Sequence, residues 1–503
     1  MSQMFRTSRV FVAVVFLGLF AMAARNVTDP DVWWHLKAGQ YIAEHGSVPH
    51  TDPFSYTRAG QPWVAHEWLT ELLLYGIERI AGWGGLIIVF SAVLSAAFLL
   101  LYLRCGSDPY VAGVAALYAA WATIPVWGVR PQVLSLLLTS LWLFILERSE
   151  RDPKLLWWTP PLMLLWVNLH AGFALGLALS ALFLTGEWIE QLMGAQPRSP
   201  RLKSAAFTLL LSLLIVPLNP NGLRMFLYPI ETLRSAAMKN YIAEWASPNF
   251  HRADYMPFLL VVLGTFALSG SRPRLRPREL LLLIVSLYAG LCSIRMMPLF
   301  VLIAVPLICQ RLAEWPTTRP LQRLRPRADS GTLFNAVIVL AMAAFAGFHI
   351  FQVVKRQPQA EAQHFPARAA TFLRTHPAGR IFNHYDWGGY LVWRLYPSTP
   401  VFIDGRADLY GEKLLNQFAE TYQFKGAWRR PLQDWNIDTV LVPVDSALAT
   451  GLRNSPGWSV SYEDIQAVVF TATTPAKRAE VSVPLPLICK KLHLSGQFAG
   501  YYE

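Results

Sequence analysis

The sequence predicts a mainly α protein: a polytopic transmembrane helical bundle of about eleven spans with a small extracytoplasmic α/β domain at its C-terminus. Three observations carry this expectation. The chain of 503 residues is 54% hydrophobic and only 15% charged, against about a quarter charged in an average soluble chain. Apolar runs of about 15 to 20 residues, the length that crosses a bilayer as a helix, recur as far as Gln352. From about Pro358 the runs shorten, charge returns, and strand-like and helix-like stretches alternate. The organisation that follows is a membrane domain at 1–357 with a large first loop at 25–83, a soluble α/β domain at 358–475, and a tail at 476–503.

The first apolar run, Phe11–Ala24, follows Arg6 and Arg9 and ends in Ala21-Met22-Ala23, a small-residue pattern that admits cleavage by a signal peptidase. Further spans are expected near 84–103, 109–127, 131–147, 155–168, 171–188, 204–218, 255–270, 279–294, 296–310 and 334–352. The runs 155–188 and 280–309 are each too long for one span of about 20 residues. One is interrupted at Asn168-Leu169-His170-Ala171-Gly172 and the other at Arg295. Both have basic residues at both ends: Arg148, Arg151 and Lys154 against Arg198, Arg201 and Lys203, then Arg272, Arg274, Arg276 and Arg278 against Arg311, Arg319, Arg323, Arg325 and Arg327. Cytoplasmic loops carry such an excess, so each run reads as a hairpin with its tip outside. The formal charge of +12 is thereby a topology signal confined to short loops, and nucleic acid is not an expected partner. The four cysteines, Cys105, Cys292, Cys309 and Cys489, form no CxxC pair, which argues against a disulfide framework or a zinc site.

With the basic loops inside, the unusual polar residues collect outside, and charged groups at membrane depth are costly and usually functional. The first loop gathers Asp29, Asp31, His35, Asp52, His66 and Glu67 beside Trp33, Trp34, Trp63 and Trp68. Pro30 is suited to the first turn of a helix, with Asp29 as its N-cap. Asp31 and His35 then share one helical face, a geometry that suits a base or ligand beside a second polar group. Trp33 and Trp34 read as an interfacial anchor or a sugar platform. Asp52 falls in turn chemistry, and Glu67 opens an amphipathic helix, where it either complements the dipole or joins Asp31 in chemistry. Arg130 and Arg295 are candidate phosphate clamps, because the guanidinium fork matches phosphate oxygens. His66 and His170 are candidate substrate contacts, and Glu244, before Ser247-Pro248, is one more acid in the 219–254 loop.

In the C-terminal domain, strands are expected at 380–385, 399–404 and 438–443, helices at 388–395, 412–424 and 446–454, and a hairpin at 458–470. Asp386 and the trio Asp404, Arg406 and Asp408 follow expected strands, where α/β sheets place ligands. They are the ligand candidates of this domain. No glycine-rich phosphate fingerprint or nucleophile elbow is present.

The acidic and aromatic first loop, Asp29-Pro-Asp31-Val-Trp-Trp-His35 with His66-Glu67-Trp68, the many spans and the tail domain resemble the GT-C superfamily of membrane glycosyltransferases. The set DVWWHL, DPFS, HEWL, NLHAGF, EW-SP, DWGGYL and FIDGRADLY is also similar to a group of uncharacterised bacterial membrane proteins placed near that superfamily. The resemblance implies a GT-C-like fold in the bacterial inner membrane, with the active face and the C-terminal domain extracytoplasmic. It implies transfer of a sugar, with inversion, from a polyprenyl-phosphate donor to an extracytoplasmic lipid, glycan or protein acceptor. Asp31, or Asp29, would be the general base, with Glu67 or Glu244 as a second acid. Arg130 and Arg295 would hold the donor phosphate, and His35, His66, His170, Glu244 and Trp34 would contact substrate. A divalent cation, Mg or Mn, would be held by Asp31 and Glu67. Two other classes compete: a transporter or flippase of a lipid-linked saccharide, and a non-catalytic assembly or sensing protein whose α/β domain binds a partner. The first would call for internal repeats and broken helices at the membrane midplane, and the sequence has no such repeat.

Overall fold

The computed structural model describes residues 7–106, 108–194, 200–270, 275–314 and 331–473. The tail and the basic residues Arg198, Arg272, Arg274, Arg319, Arg323, Arg325 and Arg327 lie outside the described residues. The chain divides into two compact units. One comprises 1–27, 77–230 and 244–357; the other comprises 28–76, 231–243 and 358–503. The first loop and the C-terminal segment thus fall in one unit.

The first unit is helical. Among the described residues seven helices are long and apolar enough to cross a membrane: Trp68–Arg104, Pro109–Val126, Pro131–Arg148, Phe173–Leu192, Arg201–Leu218, Ile294–Leu312 and Thr332–His364. Thr7–Ala23 and Ala253–Ala267 are apolar but shorter. The expected count of about eleven is therefore not reached. The helices Thr159–Leu169, with 11 residues, and Pro277–Cys292, with 16, are too short by themselves. Both long apolar runs do break, one within the expected Asn168–Gly172 and the other two residues before the expected Arg295. His170 is extended after Leu169, and Ser293 is extended after Cys292. The Trp68–Arg104 helix bends at Gly82, whose φ of 60° only glycine adopts cheaply. The bend separates an amphipathic stretch from the apolar run that follows. Basic residues near helix ends are tied down: Arg104 grips Glu147 at 2.6 and 2.9 Å, Arg201 grips Glu187 at 2.6 Å, and Arg278 pairs with Glu150 and Glu190.

The second unit holds a four-stranded sheet in the order β1-β2-β4-β3, with β1 Ile381–Asn383, β2 Thr439–Pro443, β3 Trp458–Glu463 and β4 Ala467–Ala472. β1 and β2 are parallel, and the other pairs are antiparallel. Phe382, Val440, Leu441, Val469 and Phe470 are buried, as alternating or fully covered strands require. Helices Gly388–Leu395, Ala407–Tyr422 and Ala447–Arg453 follow close to their expected positions. The expected strand at 399–404 does not join the sheet. Its hydrogen bonds go elsewhere: Phe402 N–H donates to Asn383 Oδ1 at 2.9 Å, Asn383 Nδ2 donates to the Ile403 carbonyl at 2.8 Å, and Tyr56 N–H donates to the Val401 carbonyl at 3.1 Å. Buried backbone groups must find partners, and here the first loop and one asparagine supply them. The helix Val32–His45, closed by a left-handed Gly46, packs in the same unit against Gly388–Leu395.

Candidate functional site

Two constellations emerge, one in each unit. In the second unit the Val32–His45 helix starts two residues later than the sequence suggested. Asp29 does not cap it in the usual way. Its Oδ1 accepts the Asp31 backbone N–H at 2.9 Å, a local turn typical of Asp. Asp31 occupies the capping position, yet its side chain accepts no backbone hydrogen bond from the helix. Asp31 Oδ1 instead accepts the Trp34 indole N–H at 3.1 Å. Trp34 is buried, so it serves neither as an interfacial anchor nor as an open sugar platform. Trp33 is also buried, edge-on to Tyr390 and Phe365. Asp31 thus keeps a half-buried carboxylate that accepts the Trp34 indole N–H.

One turn along, His35 is buried between two carboxylates, with Nε2 3.5 Å from Glu67 Oε2 and Nδ1 3.5 Å from Glu71 Oε1. The other oxygen of Glu67 faces His66 Nε2 at 3.1 Å. His35 is therefore an internal link and not an open substrate contact. Burial alone would lower the His66 pKa, but Glu67, and more weakly Asp408, push it up to about 9. His35 is likewise raised: burial opposes the charge, and Glu71, Glu67 and Asp31 outweigh it. A histidine raised on folding stabilises fully below its unfolded pKa of about 6.5 and loses that contribution as pH rises through the folded value. The expected result is a thermal midpoint that falls by several degrees between about pH 6.5 and 9. The His66→Gln variant should lose most of that slope; a variant with an unchanged slope would show that another group titrates.

A further part of the second unit's constellation joins the first loop to the C-terminal segment. Arg406 Nε and Nη2 donate to Asp404 at 2.9 and 2.6 Å, and Nη1 donates to Asp52 at 2.8 Å. Tyr410 donates to Asp404 at 2.8 Å, and Phe54 N–H donates to Asp52 at 3.0 Å. Arg406 is 2% exposed and Asp404 0%. These two ligand candidates are closed off in a buried ion cluster. Asp386, half-buried, and Asp408, exposed, are placed differently. The pKa of Tyr385 is raised well above its ordinary value by burial and then by the charges of Asp31, Asp386, Asp404 and Asp408.

In the first unit, Glu244 is the centre. Arg295 donates to its Oε2 at 2.7 and 3.2 Å, and Arg130 donates to its Oε1. Trp245 lies under the Arg295 guanidinium, 5.3 Å from ring centroid to carbon, and Ser293 Oγ donates to the Glu244 carbonyl at 2.9 Å. Burial would raise the Glu244 pKa, but the two arginines hold it far below the carboxylate range. Glu244 is thus a fixed anion that presents two guanidiniums, not a proton-transferring second acid. Arg295 is the more open of the two arginines. His170 has its own partners. Trp166 Nε1–H donates to Ser135 Oγ, at 2.7 Å, and that oxygen lies 2.7 Å from His170 Nδ1. Gly172 N–H also donates to Nδ1, at 2.9 Å. Nδ1 is then an acceptor, which assigns the proton of the neutral ring to Nε2.

The residues do not fit a divalent cation shared by Asp31 and Glu67. Both Glu67 oxygens face imidazoles, and His66 already brings a positive charge to one of them. Among the described residues no group of three or more His, Cys, Asp or Glu side chains is arranged to hold a metal ion. Sequence reasoning passed over Glu71, although it lies four residues beyond Glu67 on the same helical face. It also passed over Gly405, which no spacing rule would single out.

No family model matches the chain, and no curated protein matches it. Solved structures do. The archaeal oligosaccharyltransferase AglB from Archaeoglobus fulgidus, in complex with an inhibitory peptide and a dolichol-phosphate, matches with a TM-score of 0.55 and 11% identity, over 86% of this chain and 69% of that one. ArnT from Cupriavidus metallidurans bound to undecaprenyl phosphate matches with a TM-score of 0.50 and 12% identity, over 93% of this chain and 98% of that one. At such identity the likeness speaks for the backbone arrangement alone: the chain has the fold of the GT-C membrane glycosyltransferases.

Proposed function

We propose that this protein is an integral membrane glycosyltransferase that moves a sugar from a polyprenyl-phosphate donor to an extracytoplasmic acceptor, with inversion. The observation that carries the reading is the fold shared with two proteins whose structures hold dolichol-phosphate and undecaprenyl phosphate. The paired guanidiniums of Arg130 and Arg295, preset by Glu244, support a phosphate-binding role in the first unit. In the second unit Asp31 takes the proton of the acceptor hydroxyl. The acceptor oxygen forms its bond to the anomeric carbon, the bond from that carbon to the phosphate oxygen breaks, and the electron pair leaves on polyprenyl phosphate. Within the first unit, Arg130 and Arg295 would offset the charge of a bound phosphate. No step is routed through a metal. The distribution of basic loops supports an extracytoplasmic active face and C-terminal segment, and the resemblance to bacterial membrane proteins supports a bacterial inner membrane.

The test is release of undecaprenyl phosphate from undecaprenyl-phosphate hexose and pentose donors by the full chain in nanodiscs. Turnover of at least one donor, unaffected by a chelator, is expected. Arg295→Gln should weaken donor binding by about 10- to 100-fold, since a charge-assisted hydrogen bond is worth about 1.5–3 kcal/mol. A protein that turns over none of these donors, but carries one across the bilayer, would be a flippase instead.

A further inference from the structure

The Asp404-Gly405-Arg406 turn touches the Asp31 carboxylate. A Cβ built on Gly405 would lie 1.8 Å from Asp31 Oδ1, 2.9 Å from its Cγ and 3.2 Å from Trp34 Nε1. It would occupy the space between the carboxylate and the indole that orients it. The backbone of Gly405 is not left-handed, so glycine is needed here for room and not for conformation. The turn cannot easily retreat. Arg406 ties it to Asp404 on one side and to Asp52 on the other, and all three are buried. The neighbouring helix is just as close: a Cβ on Gly389 would lie 2.7 Å from the Pro30 carbonyl and 3.2 Å from Trp34 Cδ1. Asp31 is thus walled in from the C-terminal segment by backbone.

We propose that the C-terminal α/β segment acts in catalysis by setting the Asp31 carboxylate, with Gly405 as the positioning residue. The inference rests on the reading of Asp31 as the general base. It assigns the segment a role that needs no ligand of its own. A methyl group at 405 meets the far end of a side chain, so Asp31 yields before the backbone does. The carboxylate then loses the Trp34 N–H, a bond that favours its charged form, and its pKa rises.

The experiment compares Gly405→Ala, Trp34→Phe and Asp31→Asn with the native chain in nanodiscs, using whichever undecaprenyl-phosphate sugar the native protein turns over. For Gly405→Ala we expect kcat to fall on the order of 100-fold, as for a reacting group displaced by about 1 Å. KM for the donor should stay within about threefold, the thermal midpoint should be close to native, and the acid limb of kcat/KM should move to higher pH. Trp34→Phe removes the indole donor together with part of the ring and should move the same limb. Native kcat and a native acid limb in Gly405→Ala, with Asp31→Asn inactive, overturn the positioning role. Should Gly405→Ala fail to fold, an unmoved limb in Trp34→Phe overturns it. Full activity in Asp31→Asn removes the base reading itself, and the positioning role with it.

Discussion

Replacing Asp31 by asparagine should lower the rate of sugar transfer by about 10²- to 10⁴-fold, the usual contribution of a general base. The substitution is close to a pure chemical test. Asparagine keeps the size of the side chain, and its carbonyl oxygen still accepts the Trp34 indole N–H that Asp31 Oδ1 accepts at 3.1 Å. The Val32–His45 helix loses no cap, because the Asp31 side chain supplies none. The Asp29 contact to the residue 31 backbone N–H also stays. Folding should therefore be preserved while proton abstraction is lost. Single-turnover release of undecaprenyl phosphate, with a thermal melt on the same sample, measures both. Asp29→Asn is the companion: its carboxyl oxygen is spent on a backbone N–H, which an amide oxygen also accepts, so native activity is expected there. Equal losses in the two variants would mean that the base is not Asp31 alone.

What the sequence made legible follows from what each interaction depends on. The breaks in the two long apolar runs, expected at Asn168–Gly172 and Arg295 and found at His170 and Ser293, and most C-terminal elements depend on local hydrophobic period and turn chemistry, and these read correctly to within a few residues. The count of spans did not, because the helices Thr159–Leu169 and Pro277–Cys292 are shorter than the apolar runs that contain them. The failures at the site share a different cause. Arg406 meets Asp52 across 354 positions, and Glu244 meets Arg130 across 114; no periodicity encodes such pairings. Read singly, Arg406 looks like a ligand contact and Glu244 like one more acid of the site. Only their partners turn the first into a buried strut and the second into a fixed counter-ion. The strand expected at 399–404 failed for the same reason, since its partners are Asn383 and the first loop.

Arg406→Met should be the most destabilising single change in the second unit, at about 3–5 kcal/mol, the range for breaking a buried ion pair by removing one partner. The guanidinium holds two carboxylates that are 3% and 0% exposed, Asp52 and Asp404. It also closes the ring stack of Trp63, 4.6 Å away, and Phe54, 5.1 Å away, so methionine retains part of the packing while the charges lose their partner. Denaturant unfolding of the second unit, followed by limited proteolysis, measures this loss. Adding Asp52→Asn and Asp404→Asn to Arg406→Met removes the stranded charges and should recover a substantial part of the loss. A triple variant no more stable than the single one would place the cost in packing around the guanidinium and not in its two ion pairs.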